Sequence, residues 1–359
     1  MSAANPEAAE AAEAEADGTV APGAAPLREL GEYRGKQTLY SKQSPEVLER
    51  LQETARVEST ESSNRLEGIE VPHKRLEDLI LQNSKPKNRS EQEVAGYRDA
   101  LALIHGSAQE IMFSGNVILQ LHKTIYSYMS QPGGKWKATD NEIIERHPDG
   151  TARVRFKPTP AFQTPMKMQE LEEDYKNVIG LGQIDPLIVI PMVILDFLCI
   201  HPFSDGNGRV GRLITLILLY HFDYQVGRYI SLERIFEETK EGYYRTLETS
   251  SKGWHEGEHD IAPWMNYFWI VLLKAYREFE ERVGKIKQGK GSKSDQVRKA
   301  VLRQTAPFAI SDIEKDCPWI TRDWIRIVLR KMKAEGIIKA QGKGRGAKWL
   351  IEKHYLSKS

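Results

Sequence analysis

"HPFSDGNGRVGR", residues 201–212 of a 359-residue chain, puts an imidazole, a carboxylate, a Gly-Asn-Gly and two guanidiniums within twelve positions. Before it runs "PLIVIPMVILDFLCI" (186–200), the most apolar stretch of the chain. That run is shorter than the ~20 residues of a spanning helix and holds two prolines and Asp196, so it reads as a buried core helix. After it, 207–222 reads as a second helix. The loop between them ends where the second helix begins, with unpaired amides at the positive end of a helix dipole. Gly206 and Gly208 lack side chains, so an anion can approach that backbone closely. Arg209 and Arg212 are an (i, i+3) pair beside it, and two guanidiniums with a backbone nest describe a polyphosphate site. Asp205 is placed to help hold a Mg²⁺ bridging the phosphates. His201, across the loop, can take a proton from an incoming hydroxyl. Singly, these features have ordinary readings: a structural histidine, a turn, a solvated arginine face. Their order and spacing carry the specificity.

Outward from this stretch the chain reads as mainly α. Residues 1–27 are Ala/Glu/Gly/Pro-rich and acidic, without aromatics, and are expected to be disordered. Over 28–85, "SPEVLERLQETARV" predicts a helix capped by Ser44, and "ESTESSNRLEGIEV" a second, short one stopped by Gly68. Amphipathic helices follow in "HKRLEDLIL", "SEQEVAGYRDALALIHGSA", "NVILQLHKTIYSYM" and "TPMKMQELEEDYKNVIG". Asp149-Gly150, between "EIIERHP" and "ARVRF", predicts a small β-hairpin. The helical core spans 86–284, and "KQGKGSKSD" marks a linker at 285–293. Beyond 284 the chain carries 19 Lys/Arg against 7 Asp/Glu, near +12, which leaves the rest near −11. Residues 294–359 read as three helices and two strands joined by "GKGRG", the order of a winged helix-turn-helix. Its Trp319, Trp324 and Trp349 are expected in the core.

Composition is that of an ordinary soluble protein, with a formal net charge of +1. The acidic start is unlike a signal peptide. Cys199 and Cys317 lie far apart, have no metal-ligand spacing, and read as two reduced, buried thiols. The expected location is cytoplasmic, with no membrane partner.

Residues 201–212 resemble the Fic family signature, His-x-Phe-x-Asp/Glu-Gly-Asn-Gly-Arg-x-x-Arg, at every defined position: His201, Phe203, Asp205, Gly206, Asn207, Gly208, Arg209 and Arg212. The resemblance implies a helical Fic core and transfer of AMP from ATP to a Ser, Thr or Tyr hydroxyl of a protein. On it, His201 is the general base, Phe203 anchors the loop, Asp205 helps hold Mg²⁺, and Gly206, Asn207 and Gly208 cradle the phosphates. Arg209 and Arg212 bind the β/γ end of ATP, with Val210 and Gly211 in the same binding segment. Val154, Arg155 and Phe156 form a flap that holds the target segment as an added strand. Tyr243 and Tyr244 resemble the family's tyrosines near the nucleotide. The intact Gly-Asn-Gly separates the chain from the Doc-like branch that transfers phosphate.

"SNRLEG" (63–68) places Glu67 in the last turn of its helix, where a carboxylate faces the negative end of the dipole and a cation should compensate. It resembles the Fic inhibitory motif, Ser/Thr-x-x-x-Glu-Gly/Asn, in which the glutamate pairs with the second motif arginine, here Arg212. That resemblance implies autoinhibition through Ser63 and Glu67. Open alternatives are removal of AMP from modified targets, with Glu67 orienting water, and a DNA-binding regulator whose core senses nucleotide. Self-modification is a further possibility, and 294–359 binds either DNA or protein.

Overall fold

The computed structural model describes residues 24–40, 45–146, 151–288, 293–304, 307–317, 320–342 and 348–352. It is mainly helical with two small antiparallel sheets, and divides into two units, Met1–Phe279 and Glu280–Ser359. The helices are α1 (Ala24–Tyr40), α2 (Pro45–Arg65), α3 (His73–Leu81), α4 (Arg89–Ser107), α5 (Gly115–Ile125), α6 (Thr164–Leu181), α7 (Pro186–Ile200) and α8 (Asn207–His221). Next come α9 (Leu232–Glu238), α10 (Lys240–Ser251), α11 (Ala262–Gln288), α12 (Lys293–Leu302), α13 (Ile310–Asp316) and α14 (Arg322–Ala334). The strands are β1 (Ile143–Arg146), β2 (Ala152–Phe156), β3 (Ile338–Gln341) and β4 (Lys348–Ile351).

The apolar run at 186–200 is the core helix the sequence predicts. Asp185 caps α7 by accepting from the Leu187 amide at 2.8 Å, and Pro186 opens its first turn. Pro191 has no N–H, so the Leu187 carbonyl loses its intrahelical donor. The Trp269 indole of α11 supplies the replacement at 2.8 Å, and the Trp264 indole donates to the Pro191 carbonyl at 2.9 Å. The helix therefore runs through its proline. Helix α8 is buried on every side from Arg209 to Tyr220 and packs against α2, α4, α5 and α7, which makes it the centre of the first unit.

Three expectations are corrected. The segment read as a disordered tail overlaps a helix: α1 starts at Ala24, buries Leu30 and Tyr33, and stacks Tyr33 on Tyr276 at 5.0 Å, while residues 1–23 lie outside the described residues. The two helices expected over 45–68 are one, α2, because Ser59, Thr60, Ser62, Ser63 and Asn64 are buried in packed contacts that its polar sequence conceals. Helix α11 continues to Gln288, past the start expected for the linker. The cap residue Ser44 lies outside the described residues.

The hairpin forms with Ile144 opposite Val154 and Arg146 opposite Ala152; its Asp149-Gly150 turn lies outside the described residues. In the second unit, α12, α13, α14 and the β3–β4 ladder surround a core of Val301, Phe308, Ile313, Ile325, Leu329, Met332 and Ile338. Trp349 packs against this core, whereas Trp324 is 41% exposed, a correction, because it falls on the outer face of α14. Trp319 and most of "GKGRG" lie outside the described residues. Cys199 and Cys317 are free and buried. Among the described residues, no helix is long and apolar enough to cross a membrane.

Candidate active site

His201 is the C-cap of α7, in the left-handed region at φ +50°, held by its amide bond to the Phe197 carbonyl at 2.9 Å. Its Nδ1 faces the Leu198 carbonyl at 3.2 Å. A carbonyl only accepts, so Nδ1 carries the proton and Nε2 keeps its lone pair. Burial, reinforced by the charge of Lys137, lowers the His201 pKa to about 4. At neutral pH the ring is neutral, protonated at Nδ1 and basic at Nε2.

The loop after His201 is rigid because its side chains bond back to its backbone. Asn207 accepts from the Phe203 amide at 2.9 Å and donates to the Phe203 carbonyl at 2.7 Å. Phe203 is fully buried and stacks on His122, with centroids 3.8 Å apart and planes 2° from parallel. His122 accepts from the Gly134 amide (2.8 Å) and holds the Asp205 carbonyl (3.1 Å). Gly206, at φ +82°, makes the turn into α8.

The two motif arginines are not a shared solvated face. Arg209, 1% exposed, donates to Glu93 at 2.7 Å and to the Tyr126 hydroxyl at 3.0 Å. Arg212, 3% exposed, donates to the Ser63 hydroxyl (2.8 Å), the Ser63 carbonyl (2.9 Å) and Glu67 Oε1 (2.8 Å). Burial disfavours the Arg212 charge, but the Glu67 carboxylate beside it prevails and raises its pKa above the usual arginine value. Ser63 and Glu67 thus reach the same guanidinium.

Glu67 lies in the turn just beyond α2, not within its last helical turn. There Gly68, at φ +76°, and the Ile69 amide on the Asn64 carbonyl (3.0 Å) close the helix. Its carboxylate is seated against the first turn of α8: a Cβ on Gly208 would stand 2.3 Å from Glu67 Oε1.

Several predicted site residues fall elsewhere. Val210 is fully buried, and Gly211 packs against Leu198 and Phe197 of α7, so neither side faces the loop mouth. The Asn207 side chain serves the loop. Tyr243 is buried among Phe236, Trp264 and Tyr267, yet it remains in the site region, interacting with the Arg212 guanidinium and touching the Tyr244 ring at 5.1 Å. Tyr244 reaches the region as well, its hydroxyl on the Leu66 carbonyl at 3.3 Å. In the hairpin, Val154 is 46% exposed, Arg155 covers the Tyr244 ring (5.1 Å) and bonds the Tyr244 carbonyl, and Phe156 stacks on His255 (5.5 Å). Sequence reading missed Glu93, His122, Tyr126, Lys137 and Asn141, which lie 62 to 116 positions from the residues they hold and carry no local signal.

Asp205 keeps its side chain 61% exposed, 3.8 Å from Arg209 Nη2. Among the described residues there is no cluster of three or more His, Cys, Asp or Glu suited to a metal. A single exposed carboxylate fits Mg²⁺ delivered with a nucleotide, since that ion takes one or two carboxylates and fills its shell with phosphate and water oxygens.

His201 at the end of α7 and two buried arginines in the first turns of α8 are thus carried by one helix–loop–helix unit of a mainly helical protein. The profile of the Fic/DOC family matches residues 113–219, which hold the whole loop, and that segment belongs to the family. Proteins of this family are typically transferases. A Fido domain-containing protein of Dictyostelium discoideum is 25% identical over 100 residues, covering 27% of this chain and 66% of that one. The chain thus spans just under two thirds of that relative. A Fic family protein from Desulfovibrio desulfuricans superposes with a TM-score of 0.60 at 19% identity, over 91% of this chain and 95% of the other. A Fic domain-containing signalling protein from Bacteroides thetaiotaomicron gives 0.59 at 19% identity, over 73% and 99%. Fic-1 from C. elegans gives 0.57 at 17% identity, over 74% and 73%. These likenesses establish the fold.

Proposed function

We propose that this chain transfers AMP from ATP to a Ser, Thr or Tyr hydroxyl of a protein target, itself included, and that Glu67 restrains the reaction. The observation that carries this reading is the Glu67–Arg212 pair lying on Gly208, near the neutral His201. In the reaction, His201 Nε2 takes the proton of the target hydroxyl as its oxygen bonds the α-phosphorus. The bond from that phosphorus to the bridging oxygen breaks, and pyrophosphate leaves. The amides at the start of α8 receive phosphate oxygens. Arg212, once freed from Glu67, receives the terminal phosphate. Asp205 would hold Mg²⁺, which supplies neutralisation of phosphate charge when bound. The exposed side of the hairpin at Val154 suits an added target strand.

Removal of AMP from modified targets is the second reading. It is favoured by the other Glu67 oxygen, which has no hydrogen bond among the described residues and is able to orient a water. For 294–359 we favour a winged helix that binds DNA through the basic face of α14, with a protein-docking module as the alternative. A cytoplasmic setting accords with these roles.

The test is incubation of the full chain with ATP labelled at either the α or the γ position. Label retained on protein from the α position means AMP transfer, and from the γ position phosphate transfer. ATP binding with neither label transferred, in the wild type and in Glu67→Gly, leaves the nucleotide-sensing regulator.

A further inference from the structure

We propose that Lys137, with Asn141, is a positioning residue for His201: it grips the loop carbonyls on both sides of the histidine and keeps a cation beside the imidazole. The inference rests on the reading of His201 as the base.

Lys137 lies in the irregular segment between α5 and β1 and is only 4% exposed. Its amide donates to the Pro202 carbonyl at 2.8 Å. Its ammonium donates to the Ile200 carbonyl at 3.2 Å and to Asn141 Oδ1 at 2.8 Å. Asn141 in turn donates to the Phe203 carbonyl at 3.1 Å. Carbonyls 200, 202 and 203 are thus all held from one short segment, and residue 201 lies between them. The Ile200 carbonyl also ends α7, where carbonyls lack helical donors and the dipole is negative.

A buried ammonium is costly unless it is paired. Among the described residues Lys137 forms no ion pair, and burial, against the attraction of Asp140, pushes its pKa down to about 8. Such a cation serves poorly as a fastener, since a neutral donor would fill the role at less cost. What it adds is charge. Of the charged groups that bear on His201, Lys137 disfavours the imidazolium, whereas Glu67 and Asp205 favour it. Lys137 therefore opposes the two carboxylates and adds to the burial that keeps the base neutral, so that it loses its proton further below neutral pH.

The test compares the full chain with Lys137→Gln and Lys137→Arg, reading the His201 pKa by NMR titration with isotope-labelled histidine. Gln keeps a donor but no charge. We expect its His201 pKa to rise by roughly half a unit or more, and Arg to restore the wild-type value. The acid limb of α-label transfer should move up by the same shift, with KM for ATP unchanged. If Gln fails to fold, Lys137→Met is read in the same way. A folded neutral variant with an unshifted His201 pKa overturns the proposal. A wild-type chain without AMP transfer would remove the adenylylation reading and leave the titration to decide on Lys137 alone.

Discussion

His201 and Glu67 carry separate parts of the proposed reaction, and each makes a separable prediction. His201→Ala removes the ring whose Nε2 keeps its lone pair, while the α8 amides and Arg212 stay in place. AMP transfer should be abolished, with ATP affinity within a few-fold of wild type by calorimetry. Full transfer in that variant would remove the base. Glu67→Gly deletes the carboxylate that holds Arg212 and lies on Gly208. α-label transfer should rise tenfold or more, and tenfold corresponds to about 1.4 kcal/mol of barrier. Adding Arg212→Ala should cancel the gain. No gain in a folded, ATP-binding Glu67→Gly would reject the brake. All of the participants in these two tests are named by short motifs, so they are legible one at a time. The partners of Arg209 are not, because nothing near Glu93 marks it as the acceptor of a cation 116 positions away.

Helix α7 shows how an element with a built-in defect is kept whole. A proline in a helix interior costs ~3 kcal/mol when nothing replaces the lost bond. Here the Trp269 indole caps the orphaned Leu187 carbonyl. Trp269→Phe should leave that buried acceptor unmet and destabilise the first unit by about 1–3 kcal/mol beyond any packing loss. Pro191→Ala restores an N–H at the same carbonyl and should recover part of the loss in the double mutant. Additive effects in urea unfolding would mean that the two residues are not coupled. The run at 186–200 announces itself as a core helix through composition alone, whereas its rescue by a side chain 78 positions from Pro191 does not. Helix α2 shows the converse. Its polar stretch from Ser59 to Asn64 looks like a break, yet it continues because those side chains find partners such as Ser231 and the Thr60 and Arg56 carbonyls.

The first unit buries histidines in their neutral form, which links its stability to pH. Burial lowers His105 to about 3 and His201 to about 4, both below the ordinary value of 6.5. The unfolded chain binds protons first, so stability is complete above pH ~6.5 and falls as pH drops towards the folded values. At pH 5.5 each residue should cost on the order of 1 kcal/mol. A melting temperature equal at pH 7.5 and pH 5.5 would contradict this. For the basic second unit, Arg330, Lys331 and Lys333 are exposed on α14. If this face contacts phosphate, duplex DNA should bind the full chain with an affinity that falls steeply between 50 and 200 mM salt, values at which counterion release is typically seen. Arg330→Glu with Lys333→Glu should weaken binding at low salt. No binding at low salt leaves the protein-docking reading.

Local signals determined much of this protein. A twelve-residue motif, an apolar run, an Asp-Gly pair and a reversal of charge near residue 285 sufficed for the helical class, the hairpin, the loop between α7 and α8, and the change of character towards the C-terminus. Each of these rests on interactions within a few residues or on composition, and both are written into the chain order. The tertiary structure decided which motif residues meet one another. It turned Arg209 inward onto Glu93, brought Arg212 to Ser63 and Glu67, sent Tyr243 into an aromatic core, and enclosed His201 between carbonyls held by Lys137 and Asn141. It also drew Ala24–Tyr40 into a helix that no periodicity announced. The physical reason is the same in each case. A buried charge or a weakly apolar helix is stable only through partners distant in sequence, and packing selects those partners.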